Sequence, residues 1–296
     1  MFLNEHEDYR VVLGDCIPEM HLMPESCIDH AVFSPPFPSV YSYQSSQADV
    51  GNSEDLDGDA RIHFSYFFRA LRRVMKPGRV VIVHCQQVVR MKRAGGQGMY
   101  DFRGLLIRIG RRAGFIYDYD WLVLKSPQSQ AIRTKSRSLQ FAGLEADRVQ
   151  SRGAMCDYLI KFVVPGDNPV PVNSEGQVSR NEWIELAEGA WMNISETDTL
   201  NVVEARSPED TKHLCALQLK VIANSIRLYS NPNEIIFSPF AGIGSEGYEA
   251  IRLHRRFFGF ELKKEYHAVC LKNLERALKI REESQVMLWD LAESQA

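Results

Sequence analysis

Ile235-Ile236-Phe237-Ser238-Pro239-Phe240-Ala241-Gly242-Ile243-Gly244-Ser245-Glu246-Gly247 is the stretch that decides how this chain folds. Glu234 to Phe237 leads into it as a short strand of β-branched and aromatic residues. A proline and glycines break the pattern, and helical spacing then resumes as far as Leu253. Gly242, Gly244 and Gly247 fit the G-x-G-x-x-G pattern between a predicted strand and a predicted helix. Arg256 to Phe260 reads as the next strand, and Glu261 ends it 19 residues after Gly242 (261 − 242). Glycines let a ligand approach the backbone, a helix N-terminus favours an anionic group, and an acid at that distance accepts ribose hydroxyls. The stretch reads as a nucleoside-binding strand–turn–helix; the bland alternative is a tight turn.

A second site-like stretch lies far upstream. Ile28 to Phe33, ending in the apolar Ala31-Val32-Phe33, is read as a short buried strand, followed by Ser34-Pro35-Pro36-Phe37. Two prolines cannot continue a hydrogen-bonded ladder, so the strand stops at Ser34. The loop then offers two acceptors, the Ser34 hydroxyl and the Pro35 carbonyl, beside an aromatic face. That combination suits a planar amino group, whose two N–H donors need acceptors and whose ring needs a stacking partner. An exocyclic amine of a nucleobase held out of its stack has this shape. The alternative is a Pro-Pro turn closing a strand, with Phe37 as a core ring.

Around these two stretches, strand and helix alternate. Strands are predicted over Tyr9 to Gly14, Arg79 to His84, Phe115 to Lys125 and Asp157 to Val164. Helices are predicted over Ile17 to Met23, Ala60 to Met75 (stopped by Pro77-Gly78), Phe102 to Ala113 (ended by Gly114), Leu214 to Tyr229, and Glu265 to Glu283, with a loose tail from Ser284. This order gives an α/β fold, a Rossmann-like, mostly parallel sheet with helices on both faces. Tyr41 to Asp59 reads as a flexible loop or lid beside Ser34, and Gly95 to Gly98 as a second mobile loop. Residues 126–155 and 165–206 build no obvious part of the sheet. Within a single domain over 1–296, both read as insertions.

The 296 residues carry 45% hydrophobic and 25% charged side chains, which are globular values. No apolar run is long enough to span a membrane, and the acidic, polar start lacks a signal-peptide core, so the expected setting is cytoplasmic. The six cysteines (16, 27, 85, 156, 215, 270) form no C-x-x-C pair, which reads as reduced thiols and no metal. The net charge of −3 argues by itself against a general polyanion binder. Its distribution points elsewhere: 18 Lys/Arg against 5 Asp/Glu between Arg69 and Arg152, but 2 against 10 between Pro165 and Asp210. A basic middle in an acidic chain is the footprint of a local phosphate-binding surface. Solvated helix faces account for part of it, notably Arg69 to Lys76 and Arg108 to Arg112. Arg133, Lys135, Arg137, Gln140, Arg148, Gln150 and Arg152 have the chemistry for phosphates and purine edges.

A nicotinamide dinucleotide would be the usual ligand of such a glycine turn. Only 49 residues follow Gly247 (296 − 247), too few for a second mononucleotide half. The Ser-Pro-Pro-Phe loop also has no part in hydride transfer. S-adenosylmethionine fits better, needing one nucleoside site and one site for its carboxylate, and carrying an electrophilic methyl.

Ser34-Pro35-Pro36-Phe37 resembles the catalytic (D/N/S)-P-P-(Y/F/W) motif of DNA amino-methyltransferases, which act on adenine N6 or cytosine N4. Ser238 to Gly247 resembles their cofactor motif, D-P-F-x-G-x-G, and Glu261 in Phe-Glu-Leu-Lys their acid after the next strand. Asp15 in Gly-Asp-Cys is similar to the acid before the catalytic loop, and Thr211-Lys212-His213-Leu214 to Gln218 to the segment before the cofactor motif. Catalytic motif first and cofactor motif last is the circularly permuted β-group order, in a form similar to phage and prophage members. The resemblance covers the whole chain. It implies catalysis by Ser34, Pro35, Pro36 and Phe37. It also implies cofactor contacts at Asp15, Cys16, Ser34, His213, Ser238, Phe240, Gly242, Gly244, Ser245, Glu261 and Leu262. The implied partners are double-stranded DNA, gripped through Arg133, Lys135, Arg137, Arg148 and Arg152, and a second copy of the chain. Two departures stand out. Ser238 replaces the usual Asp, and Ser34 is commoner among cytosine enzymes, although phage-type relatives with Ser-Pro-Pro include adenine enzymes. Adenine N6 is the narrowly favoured target, cytosine N4 the alternative. More remote readings are a nicotinamide-dependent oxidoreductase and a catalytically silent DNA-binding protein.

Overall fold

The computed structural model describes residues 2–4, 7–37, 58–90, 98–128, 139, 144–149, 151–173, 178–201 and 216–293. In chain order these form β1 (Tyr9–Leu13), α1 (Cys16–Leu22), β2 (Ile28–Phe33), α2 (Asp59–Val74), β3 (Met75–Gln86), β4 (Val88–Val89), β5 (Met99–Tyr100), α3 (Phe102–Arg112), β6 (Ile116–Val123) and β7 (Asp157–Val163). The chain continues with α4 (Arg180–Leu186), β8 (Ala190–Trp191), α5 (Leu219–Tyr229), β9 (Ile235–Ser238), α6 (Ser245–Arg252), β10 (Arg256–Glu261) and α7 (Lys264–Glu293).

Eight strands make one sheet in the order β1-β10-β9-β2-β3-β7-β6-β8. The five strands from β1 to β3 run parallel. β7 is antiparallel to both its neighbours, and β8 joins β6 in parallel. Strands buried on both faces alternate their side chains between two cores. Ala31 and Phe33 of β2, Val81 and Val83 of β3 and Phe237 of β9 face one core, shared with Phe64, Phe67 and Phe68 of α2 and Leu106 of α3. Val32, Ile82 and Ile236 face the other, built with Ile222 and Ile226 of α5, Ile251 of α6 and Leu274 of α7. The expected Rossmann-like, mostly parallel sheet with helices on both faces is the fold observed.

Four local expectations are corrected. β3 begins at Met75 and carries Pro77-Gly78 within it, because Met75 already pairs with Ile28 before a bulge resets the register at His30. α5 starts at Leu219 with Gln218 as its N-cap, so Ala216 and Leu217 lie outside the helix. α7 runs on to Glu293 where a loose tail was expected. The stretch 165–206 does contribute to the sheet. A capping box between Ser179 and Glu182 starts α4, and β8 adds an edge strand whose Trp191 packs 5.8 Å from Trp121. A strand of two residues is too short to show an alternating pattern. Residues 41–57 and 95–97 of the two expected loops lie outside the described residues.

Candidate active site

Strand order places the two motifs side by side. β2 and β9 are hydrogen-bonded parallel neighbours with Ala31 opposite Phe237. Ser34 and Ser238 therefore leave the sheet at the same, C-terminal end, on strands about 5 Å apart. The β2–β9 contact lies at a reversal of strand order, since β10 and β1 continue one way and β3 the other. Ligands of open α/β sheets bind at such a point. The Phe240 ring of the glycine-side motif lies 5.8 Å from Phe33, the residue before Ser34, and 5.0 Å from Phe67 of α2.

On the glycine side, Ala241 N–H donates to the Phe260 carbonyl at 2.8 Å, which pins the turn to β10. Gly242 (φ 54°) and Gly244 (φ 88°) take left-handed backbone that side chains disfavour. A Cβ on Gly242 would meet nothing within 4 Å, whereas one on Gly244 would sit 2.7 Å from Cys270 Sγ. Gly247 serves packing alone, since a Cβ there would reach 2.5 Å from Phe257 and 2.6 Å from Leu274. Ser245 opens α6 and is buried.

Glu261 closes β10. Its Oε2 accepts from Gly242 N–H and its Oε1 from Lys263 N–H, both at 2.8 Å. Burial nevertheless pushes its carboxyl up to about 7. Burial likewise raises Glu246, in the first turn of α6, to about 8. Next to Glu261, Gly14 N–H donates to its carbonyl at 2.9 Å, so Asp15 and Cys16 emerge one strand over. Asp15 Oδ1 accepts from Ile17 N–H at 2.9 Å and caps α1, a structural task the sequence reading had not given it. Cys16 is buried, and burial raises its thiol. Leu262 is half-buried. The Ser238 hydroxyl is fully buried and has no hydrogen-bond partner among the described residues. An orphan hydroxyl, a desolvated carboxyl and an open left-handed glycine turn at a helix start suit the polar groups of S-adenosylmethionine.

On the proline side, Pro35 is buried while Ser34, Pro36 and Phe37 are half-buried. The Phe37 ring packs 5.7 Å from Phe102. Ser34 Oγ lies 3.0 Å from His84 Nδ1. His84 Nε2 lies 2.9 Å from Asp157 Oδ2, bent away from a linear hydrogen bond. Lys125 Nζ pairs with the same oxygen at 2.7 Å, and Gln86 Nε2 donates to Asp157 Oδ1 at 3.0 Å. Burial pushes the Asp157 carboxyl up, but His84 and Lys125 outweigh it and hold the group below the usual carboxylate range. Nothing local in the sequence announces this network: Ser34 and His84 stand at the ends of predicted strands, Asp157 opens one, and only the sheet order brings them together.

Of the expected DNA contacts, Arg148 is exposed. Arg152 is half-buried, with Nε and Nη2 lacking hydrogen-bond partners among the described residues. Arg133, Lys135, Arg137, Gln140, Gln150 and His213 lie outside the described residues. Among those described, no group of His, Cys, Asp or Glu is placed to hold a metal, and no helix is long and apolar enough to cross a membrane.

The fold and this paired site define a nucleoside-binding α/β enzyme of the methyltransferase type. A sequence profile of the DNA methylase family, covering N6- and N4-specific methyltransferases, matches residues 28–272. The chain belongs to that family, the DNA amino-methyltransferases. Solved structures share the fold at low identity. A DNA modification methylase of Thermus thermophilus, solved with S-adenosyl-L-methionine, is 16% identical with a TM-score of 0.67, over 91% of this chain and 94% of its own. The cytosine-N4-specific PvuII DNA methyltransferase is 18% identical with a TM-score of 0.66, over 93% and 92% of the two chains. No curated protein matches the chain in sequence.

Proposed function

We propose that this methyltransferase works on a base flipped from double-stranded DNA at a specific sequence, with adenine N6 as the target. The observation that carries the reading is the adjacency of Ser34 to the glycine turn across the β2–β9 pair. Ser34 and the Pro35 carbonyl accept the two amine hydrogens, and Phe37 lies against the base. Fixing both hydrogens draws the nitrogen lone pair out of conjugation with the ring and aims it at the cofactor side. Preorganised acceptors also stabilise the positive charge that grows on nitrogen. S-adenosylmethionine supplies the electrophilic methyl. Glu261 holds its ribose hydroxyls, Phe240, Gly242, Gly244 and Ser245 border it, and Ser238, with Asp15, Cys16, His213 and Leu262, completes the contacts.

Adenine follows from the resemblance of the combined Ser-Pro-Phe and Gly-Ser-Glu-Gly motifs to phage-type enzymes. Ser34 itself favours the second reading, cytosine N4. Within the one domain, segment 126–155 grips DNA through Arg133, Lys135, Arg137, Arg148 and Arg152. Segment 165–206 presents Trp183 (55% exposed) and Met192 (72% exposed), which supports a homodimer contact there. Long-read sequencing of DNA from cells expressing the chain reads base and context together. N6-methyladenine in one recurrent context is expected. N4-methylcytosine selects the second reading, and no modified base overturns the assignment to DNA. Sedimentation at micromolar concentration tests the dimer: a strictly monomeric chain contradicts it.

A further inference from the structure

We propose that His84, oriented by Asp157, sets the Ser34 hydroxyl as an acceptor toward the target amine and takes, through it, the proton that the amine gives up. The proposal rests on the reading of Ser34 above and deepens it.

Register brings the three residues together. Phe33 stands opposite Val83, so Ser34 emerges beside His84. Gln86 stands opposite Asp157, so the first residue of antiparallel β7 meets the last residues of β3 at the same end of the sheet. Asp157 is 5% exposed, and the Lys125 side chain no more than that. Burying so many polar groups is costly unless they are paired, and β3 and β7 are already zipped over seven residue pairs from Val80 to Gln86.

The network does determine which way the serine hydrogen points. Asp157 is ionised, with Lys125 on one oxygen and Gln86 on the other, so its carboxylate cannot swing away. A carboxylate facing Nε2 selects the imidazole tautomer with its hydrogen on Nε2 and its lone pair on Nδ1. Nδ1, 3.0 Å from Ser34 Oγ, then accepts the serine hydrogen. The serine oxygen is left with lone pairs alone to offer the amine. A serine without this partner could turn its own hydrogen toward the amine and oppose it.

The same path balances the reaction. The nitrogen lone pair forms the N–C bond, and the S–C bond breaks with its pair left on sulfur. The nitrogen then carries one hydrogen too many. That proton passes to Ser34 Oγ as the serine's own hydrogen passes to His84 Nδ1. The serine is regenerated, and the imidazolium facing Asp157 later releases its proton to water. His84 is a positioning residue, since it reaches the substrate only through Ser34.

Single-turnover methylation with full-length protein, saturating cofactor and substrate DNA tests this through a double-mutant cycle. His84→Leu is expected to slow methyl transfer at least 30-fold while cofactor Kd stays within twofold. In a Ser34→Ala background, His84→Leu should add no further loss. His84→Asn places an amide oxygen where Nδ1 was. It orients the serine but takes no proton, so its rate should lie between His84→Leu and wild type and at least tenfold below wild type. If His84→Leu does not fold, His84→Asn carries the same cycle. Equal losses from the His84 change in both backgrounds, or a wild-type rate for either His84 variant, overturn the proposal. A wild-type rate for Ser34→Ala alone would instead sink the underlying reading of Ser34.

Discussion

Around β9 and β10 the two ends of the sheet treat charge in opposite ways; the paired Asp157–Lys125 group stands apart, where β3 meets β7. At the N-terminal end, Arg79 forms a two-pronged pair with Glu234 at 2.5 and 2.9 Å. Asp29 accepts from Lys76 at 2.6 Å and from Ile235 N–H at 2.9 Å. Burial pushes Glu234 up, but Arg79 and Asn231 outweigh it and leave the carboxyl low. At the C-terminal end, Glu261 and Glu246 are raised by burial with no cation against them strong enough to compensate. The Ser238 hydroxyl there has no partner among the described residues. One end is closed by paired ions and joins β2, β3 and β9. The other keeps desolvated acceptors for a ligand to satisfy. The contrast separates stability from function within single strands: β2 carries Asp29 near its start and leads into Ser34 at its end.

Substitutions at the two ends should therefore fail in different ways. The largest effect belongs to Arg79→Ala, which takes the guanidinium away from the largely desolvated Glu234 carboxylate. Removing one partner of a buried pair costs about 3–5 kcal/mol. Denaturant unfolding should show that loss, while activity per folded molecule stays near wild type; an unchanged midpoint would mean the pair is not structural. Ser34→Ala should do the reverse, leaving unfolding unchanged and slowing methyl transfer about 10²-fold, the scale of removing one preorganised polar contact. Gly244→Ala brings both left-handed strain and contact with Cys270. It should weaken cofactor binding about tenfold or more and destabilise by about 1–3 kcal/mol, as titration calorimetry and thermal unfolding would read. A milder effect is expected from pH. Ribose hydroxyls donating to Glu261, as proposed, would favour its ionised form, and since burial pushes the carboxyl up to about 7, cofactor binding would then expel a proton. Cofactor affinity should rise severalfold from pH 6 to pH 8 and the slope vanish in Glu261→Gln; a slope that persists in Glu261→Gln assigns the proton elsewhere. Arg148→Ala, on an exposed side chain, should cost least, weakening DNA binding a few fold and lowering the salt slope by about 1.

Much of this was legible in the sequence because the parallel core follows local rules. Ile28 to Phe33 closes on the apolar Ala31-Val32-Phe33 before its proline stop, and Gly114 follows α3 where the sequence places its end. The glycine turn and Glu261 declared themselves by spacing. What stayed hidden depends on contacts distant in the chain. β7 reads as one more strand, yet its antiparallel insertion beside β3 is what carries Asp157 to His84, 73 residues away (157 − 84). β8 escaped notice because its two residues draw their stability from Trp121 and Leu122 of β6, not from their own pattern. Asp15 looked like a ligand from its motif, while its geometry also shows an N-cap.

The central claim is that the acceptors after β2 and the cofactor turn after β9 serve one reaction across adjoining strands. The most direct test is the single-turnover methylation rate of Ser34→Ala at saturating S-adenosylmethionine, with cofactor Kd measured on the same preparation. A rate about 10²-fold below wild type with cofactor Kd within twofold is expected; methylation at the wild-type rate would contradict the claim.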